Sequence, residues 1–325
     1  MSPPSPPAPP VSPPASSFAP AKRRSEVGFL HAAYEVARKD VLQHIRTKRV
    51  FIIGLLLFAT LLLVTLILPV MAFGEGDSPP DAGEPARENF AFFIYMNASV
   101  FGGNFMIQLL AIVLTADAVC SEWQSRTLFL LLSKPVSRAA FVVGKYAGAL
   151  ATVLPTFLIL FTLQYALVQP FYEGSPSGEE VGRFFGAMGT LALGASAIAA
   201  VALFFSTLTK SNVQSLVLTL LTVFLVLPLL GNIGDFVFFG DSDGDFEPDR
   251  TGWKYDWSHY LSPDRTISVA GDVLLDGQEG ESFALSFVIP QFPPQRIGLS
   301  LAAGAGFAML FLAASVAIVR RRNFE

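Results

Sequence analysis

The run from Val50 to Phe73, 24 residues without a charge, constrains this chain more than any other feature. At about 1.5 Å per residue, a helix of that length crosses a ~30 Å hydrocarbon core. Inside lipid, only helices and closed barrels satisfy their own backbone groups. Five further apolar stretches follow, at Ala98–Thr115 with a continuation toward Cys120, Phe141–Val168, Phe184–Leu208, Val213–Leu230 and Ile297–Val319. The expected fold is all-α, a polytopic membrane protein with six transmembrane helices. Composition supports that class: 52% of the residues are hydrophobic and 15% charged, against the ~25% charged of an average soluble domain. Gly102, Gly103, Asn104 and Gln108 direct the second span toward other helices. The third holds Pro155, a kink signal, and the pair Gly144 and Gly148, a surface for close helix approach.

Charge sets the expected orientation, because short cytoplasmic loops carry the excess of Lys and Arg. With the N-terminus inside, sixteen of the 22 basic residues fall on cytoplasmic pieces and 20 of the 26 acids on outer ones. Both termini are then cytoplasmic, and the chain is a multi-pass protein of the inner or plasma membrane. Residues 1–24 are a Pro- and Ser-rich tail that cannot bury enough surface to fold. Residues 25–49 are expected to form an amphipathic interfacial helix, with Leu30, Ala33, Tyr34, Ala37, Val41 and Ile45 on one stripe and Glu35, Arg38, Lys39 and Arg46 largely on the other side. Its basic residues suit anionic lipid. Residues 50–230 hold spans one to five, with a polar stretch at 120–145. Residues 231–296 form an outer acidic loop or cap, and 297–325 the sixth span with a basic end.

Several kinds of chemistry lack their residues. No GxxxxGK[ST] phosphate loop occurs, since Gly144-Lys145 continues into Tyr146 and follows Ala139 five residues earlier. The three histidines, His31, His44 and His259, lie outside the spans, so none pairs with Ser196, whose Gly194-Ala195-Ser196 context reads as helix packing. Cys120, the single cysteine, excludes an internal disulfide and a CxxC metal or redox pair. Nucleic acid is not an expected partner. The alternating carboxylates Asp241, Asp243 and Asp245 resemble a calcium loop but lack its glycine and terminal Glu, with Phe246 and Gly252 at those places. Ionisable residues are rare in the spans; Asp117 and Lys145, near the inner ends of the second and third, are the pair an ion-driven carrier would use.

The polar stretch Cys120–Lys145 lies between two spans and reads CSEWQSRTLFLLLSKPVSRAAFVVGK. Its acid, apolar helical turn, Lys-Pro break and following bases describe a short helix outside the bilayer core. Glu122, Thr127, Leu128, Leu131, Leu132, Ser133, Pro135, Val136, Ser137, Arg138, Gly144 and Lys145 stand in the order of the second cytoplasmic connection of ABC-2 type transporter permeases. The chain resembles that family, and within it the nitrous-oxide reductase maturation permease group. Arg126 stands where the family often has Gly. The resemblance extends to the N-terminal helix, the six spans, the Ser206–Ser211 turn and the large last outer loop. It implies a permease that docks a separate ATPase subunit, works as a homodimer or heterodimer, and binds no cofactor itself, with ATP and Mg on the partner. Glu122, Arg126, Thr127, Leu128, Leu131, Leu132, Pro135, Arg138 and Lys145 are the implied docking and coupling residues. The implied function is export or repositioning of a substrate, with the chain itself not an enzyme. Two alternatives stand beside it: an ATP-independent secondary transporter or channel using Asp117 and Lys145, and a non-transport module driving maturation or signalling through Gly231–Arg296.

Overall fold

The computed structural model describes residues 28–46, 48–73, 103–125, 137–168, 178–231, 262–263, 266 and 297–321. Among them every regular element is helical and no strand occurs. The order is α1 (Phe29–Arg46), α2 (Arg49–Phe73), α3 (Gly103–Thr115), α4 (Cys120–Gln124), α5 (Arg138–Val168), α6 (Gly178–Leu208), α7 (Asn212–Leu221), α8 (Leu227–Gly231) and α9 (Ile297–Arg321). A π-helical turn, Thr222–Val226, joins α7 to α8. It precedes Pro228, whose ring collides with the carbonyl four residues back in a regular helix; the wider turn moves that carbonyl aside.

Four described helices are long and apolar enough to cross a membrane, over Arg138–Leu167, Val181–Leu208, Asn212–Leu230 and Gly298–Arg321. A shorter apolar stretch, Val50–Thr60, lies in α2. These match the expected spans three to six. The expected second span is described from Gly103 onward, and its helix breaks after Thr115 into a turn before α4. The third begins at Arg138 rather than Phe141, because nothing in Arg138-Ala139-Ala140 opposes helix. At 31 residues, α5 is about 46 Å long, longer than the ~30 Å hydrocarbon core, so part of it lies beyond that layer.

The bundle is organised around α6. Ala197, Ile198, Ala199, Ala200, Val201, Ala202 and Leu203 are all fully buried, so this segment of the helix is enclosed on every side. Small side chains make that possible, since they let neighbouring backbones approach closely. Its most extensive neighbour is α9, followed by α3, α7 and α5. Ile107, Leu110, Leu114, Phe157, Phe161 and Leu191 fill the adjoining core. Ser196, the residue whose context suggested packing, has a structural role: its hydroxyl donates to the Leu193 carbonyl at 2.6 Å, and its own carbonyl accepts from the Tyr146 hydroxyl at 3.0 Å.

The first helix packs through a row that overlaps the expected stripe only at Ala33. α1 packs chiefly on α5 through Ala32, Ala33, Val36 and Asp40, while Leu30, Tyr34 and Ile45 are exposed. The small row wins the contact because α5 presents Gly144 and Gly148 there. A Cβ on Gly144 would stand 2.6 Å from the Ala33 carbonyl oxygen, and one on Gly148 would stand 3.0 Å from that of Ala37. Lys48, at φ 54°, turns the chain from α1 into α2.

Candidate coupling site

Four charges meet at the α1 end of the bundle. The Lys145 ammonium donates to Asp40 Oδ1 and to Glu122 Oε1, each at 2.7 Å. Lys39 Nζ reaches the same Glu122 oxygen at 3.0 Å. Three helices supply them: α1 brings Lys39 and Asp40, α4 brings Glu122, and the second turn of α5 brings Lys145. The three central side chains are only 3–7% exposed, while Lys39 is 45% exposed and forms the rim. Two carboxylates and two ammonium groups leave the cluster neutral, which is the condition for keeping such groups out of water. Burial pushes the Asp40 carboxyl above its ordinary value, opposed by the Lys145 charge beside it and raised further by the nearby Glu122.

Local structure fixes each position. Lys145 follows Gly144, so the contact that brings α1 against α5 also brings Asp40 to the lysine. Glu122 is placed by bonds that tie its short helix, and the turn before it, to the last turn of α6 and to α7. The Ser206 hydroxyl accepts from the backbone N–H groups of Val119 and Cys120 at 3.0 and 3.2 Å. The Cys120 thiol donates to the Ser206 carbonyl at 3.0 Å, and Ser215 donates to the Ala116 carbonyl at 2.6 Å. Trp123 lies under the Lys210 ammonium at 5.4 Å. Cys120 is therefore a buried structural thiol, and the polar turn Ser206–Ser211 is its partner.

Arg138 serves elsewhere. Its guanidinium donates to the carbonyls of Arg320 at 3.1 Å and Val319 at 3.5 Å, satisfying the open end of α9. Asp117 lines a cavity of about 100 Å³ together with Asp40, Gln43, His44, Ser121, Lys145 and Asn212. The lysine of the anticipated Asp117–Lys145 pair is thus held by Asp40 and Glu122, with Asp117 beside it. Arg126, Thr127, Leu128, Leu131, Leu132 and Pro135, and the acidic trio Asp241, Asp243 and Asp245, lie outside the described residues.

Asp40 is the functional candidate that sequence reasoning missed. A signal for it existed: Ala32, Val36 and Asp40 recur at four-residue spacing, so the acid stands on the small, apolar row rather than the charged face. An acid in that register requires a basic partner in the neighbouring helix. Ser206 stood in the Ser206–Ser211 turn of the resemblance, but its bond to the α4 segment carried no comparable signal, because a serine in a small-residue span usually bonds to its own helix.

The ABC-2 family transporter protein profile matches residues 34–321 of this chain. The chain belongs to the ABC-2 transporter family. It is similar to the probable ABC transporter permease protein NosY of Stutzerimonas stutzeri, 25% identical over 301 residues that cover 90% of this chain and 99% of that protein. The chain is thus an ABC permease component and a multi-pass protein of the cell membrane, and the charged cluster is a feature of that permease.

Proposed function

We propose that this permease couples ATP hydrolysis by a separate ATPase subunit to the export or repositioning of a substrate across the membrane. One observation carries the reading: Glu122 and Lys145, which flank the resembling stretch on its two sides, share an ion pair at 2.7 Å. The two ends of that stretch are thereby clamped to each other and, through Asp40, to α1. A force applied between them reaches α3, α5 and α1 together, because breaking a buried charge pair costs about 3–5 kcal/mol. In this reading, residues 126–136 contact the ATPase with Leu128, Leu131 and Leu132 toward it, six spans cross the membrane, and both termini are cytoplasmic. Two permease copies and two ATPases form the working unit, with ATP and Mg bound on the ATPases.

Family membership favours this over an ATP-independent carrier, and the engagement of Lys145 by two carboxylates supports the same choice. The test is co-purification with the ATPase together with permease-dependent ATP turnover. Leu131→Ala should weaken assembly, and Glu122→Gln should lower turnover in complexes that still assemble. Unchanged assembly and turnover in both variants would sink the coupling assignment.

A further inference from the structure

A second charged feature lies on a flank of α1 beside the buried cluster. Arg38, Leu42 and Arg46 form one row at four-residue spacing, and Glu35, Lys39 and Gln43 form the next. The two rows border an open groove of about 410 Å³, of which these six side chains are the lining among the described residues. That volume lies within the roughly 300–1,000 Å³ range of small-molecule sites. Among the described lining residues three are basic and one is acidic; the acid, Glu35, stands 4.0 Å from Arg38, and Lys39 is shared with Glu122. The groove therefore carries an excess of positive charge around one apolar side chain, Leu42.

The position of the groove selects its occupant. The next face of α1 around the helix carries Leu30, Tyr34 and Ile45, exposed at 80%, 62% and 62%. Among the described residues these side chains cover nothing, and α2 enters its apolar run directly after α1. An exposed apolar stripe with a tyrosine, joined to a membrane-entering helix, is the arrangement of a helix lying at the lipid interface. The Arg38 row adjoins this stripe, so its guanidinium groups stand at the level of lipid headgroups. We propose that the α1 groove is a binding site for the headgroup of an anionic phospholipid, with Arg38 and Arg46 on the phosphate and Leu42 against the glycerol backbone.

The site touches the buried cluster through a shared residue. Lys39 lines the groove and at the same time donates to Glu122 at 3.0 Å. A phosphate in the groove competes with Glu122 for that ammonium, so lipid occupancy is felt at the head of the α4 segment. Recognition by Arg38 and Arg46 does not depend on the ATPase, and its test needs none.

The full-length permease is reconstituted in nanodiscs of phosphatidylcholine with or without phosphatidylglycerol, and the lipid retained after detergent extraction is counted by native mass spectrometry. Wild type should retain phosphatidylglycerol in preference to phosphatidylcholine. Arg38→Gln with Arg46→Gln should weaken that retention about 30-fold, from two basic contacts of roughly equal weight. Arg38→Lys with Arg46→Lys, a control for folding that keeps the charge, should retain most of it. Equal retention in the Gln double variant overturns the proposal. So does saturation of the site by glycerol phosphate alone, which would assign it to a soluble phosphate. Loss of ATPase binding with unchanged lipid retention in the Gln variant also overturns it, since the groove would then belong to a protein partner.

Discussion

The middle of the bundle and its α1 end are held together by different physics. Around α6 the contacts are Ala on Leu and Phe on Phe, as between Phe204 and Phe311 with ring centres 5.3 Å apart. Such packing is spread over many atoms, each contributing little, and it tolerates substitutions that keep volume. At the α1 end, a few directional bonds link segments far apart in sequence: Lys145 to Asp40, Lys145 to Glu122, and Ser206 to Val119 and Cys120. The comparison teaches where the molecule is brittle. A dispersed apolar contact yields gradually, whereas one ammonium that bridges two buried carboxylates fails all at once.

That contrast is open to attack at four points. The largest expected effect is Lys145→Met, which leaves Asp40 and Glu122 buried without their shared cation; unfolding in detergent should come about 3–5 kcal/mol earlier. A volume-conserving exchange in the middle, such as Leu191→Met, should cost less than about 1.5 kcal/mol. Equal losses for the two would erase the distinction between the regions. Next comes Gly144→Ala, whose added methyl meets the Ala33 carbonyl oxygen at 2.6 Å. Backbone there cannot yield as a side chain can, so about 1–3 kcal/mol is expected. Cysteine cross-linking between α1 and α5 should report the separation as a slower rate.

Asp40→Asn acts on pH dependence. The folded Asp40 carboxyl titrates above its ordinary value of 3.8, so the folded state holds a proton that the unfolded chain has already lost. This contribution is fully present below the ordinary value and is lost as pH rises through the folded value. Asp40→Asn should flatten the stability profile across that acidic window, and melting curves at successive pH values would measure it. A slope identical to wild type would remove Asp40 from the account. The smallest effect belongs to Lys39→Gln. Its side chain is 45% exposed, and an ion pair with one partner at such a solvent-facing rim contributes about 0.2–1 kcal/mol. A melting shift that vanishes in high salt is expected, while that of Lys145→Met should persist.

Much of this architecture was legible in the chain. Uncharged runs long enough to cross lipid marked the helices, and the sequence order from Glu122 to Lys145 pointed to the family. Gly144 and Gly148 were readable as a close-approach surface, and the structure supplies α1 as what approaches. The exposed face of α1 was half legible. Leu30, Tyr34 and Ile45 lie on the expected stripe, but Ala33, assigned to the same stripe, is buried. A stripe drawn from periodicity spans a broad arc, and which edge of it is covered depends on the shape of the neighbour. Glu122 and Lys145 were singled out for their place in a motif, yet the bond between them, and Asp40 as their third member, were not.

Sequence by itself determined what each segment is: which stretches are helices apolar enough for lipid, which are polar, and which family the whole resembles. These properties follow from local composition and spacing along the chain. Tertiary structure alone decided that Asp40 meets Lys145 across 105 positions and that Lys39 meets Glu122 across 83. Such pairings depend on how far each helix is rotated about its own axis and where it crosses its neighbour. Those variables are set by packing against glycines and alanines on other helices, and no local pattern carries them.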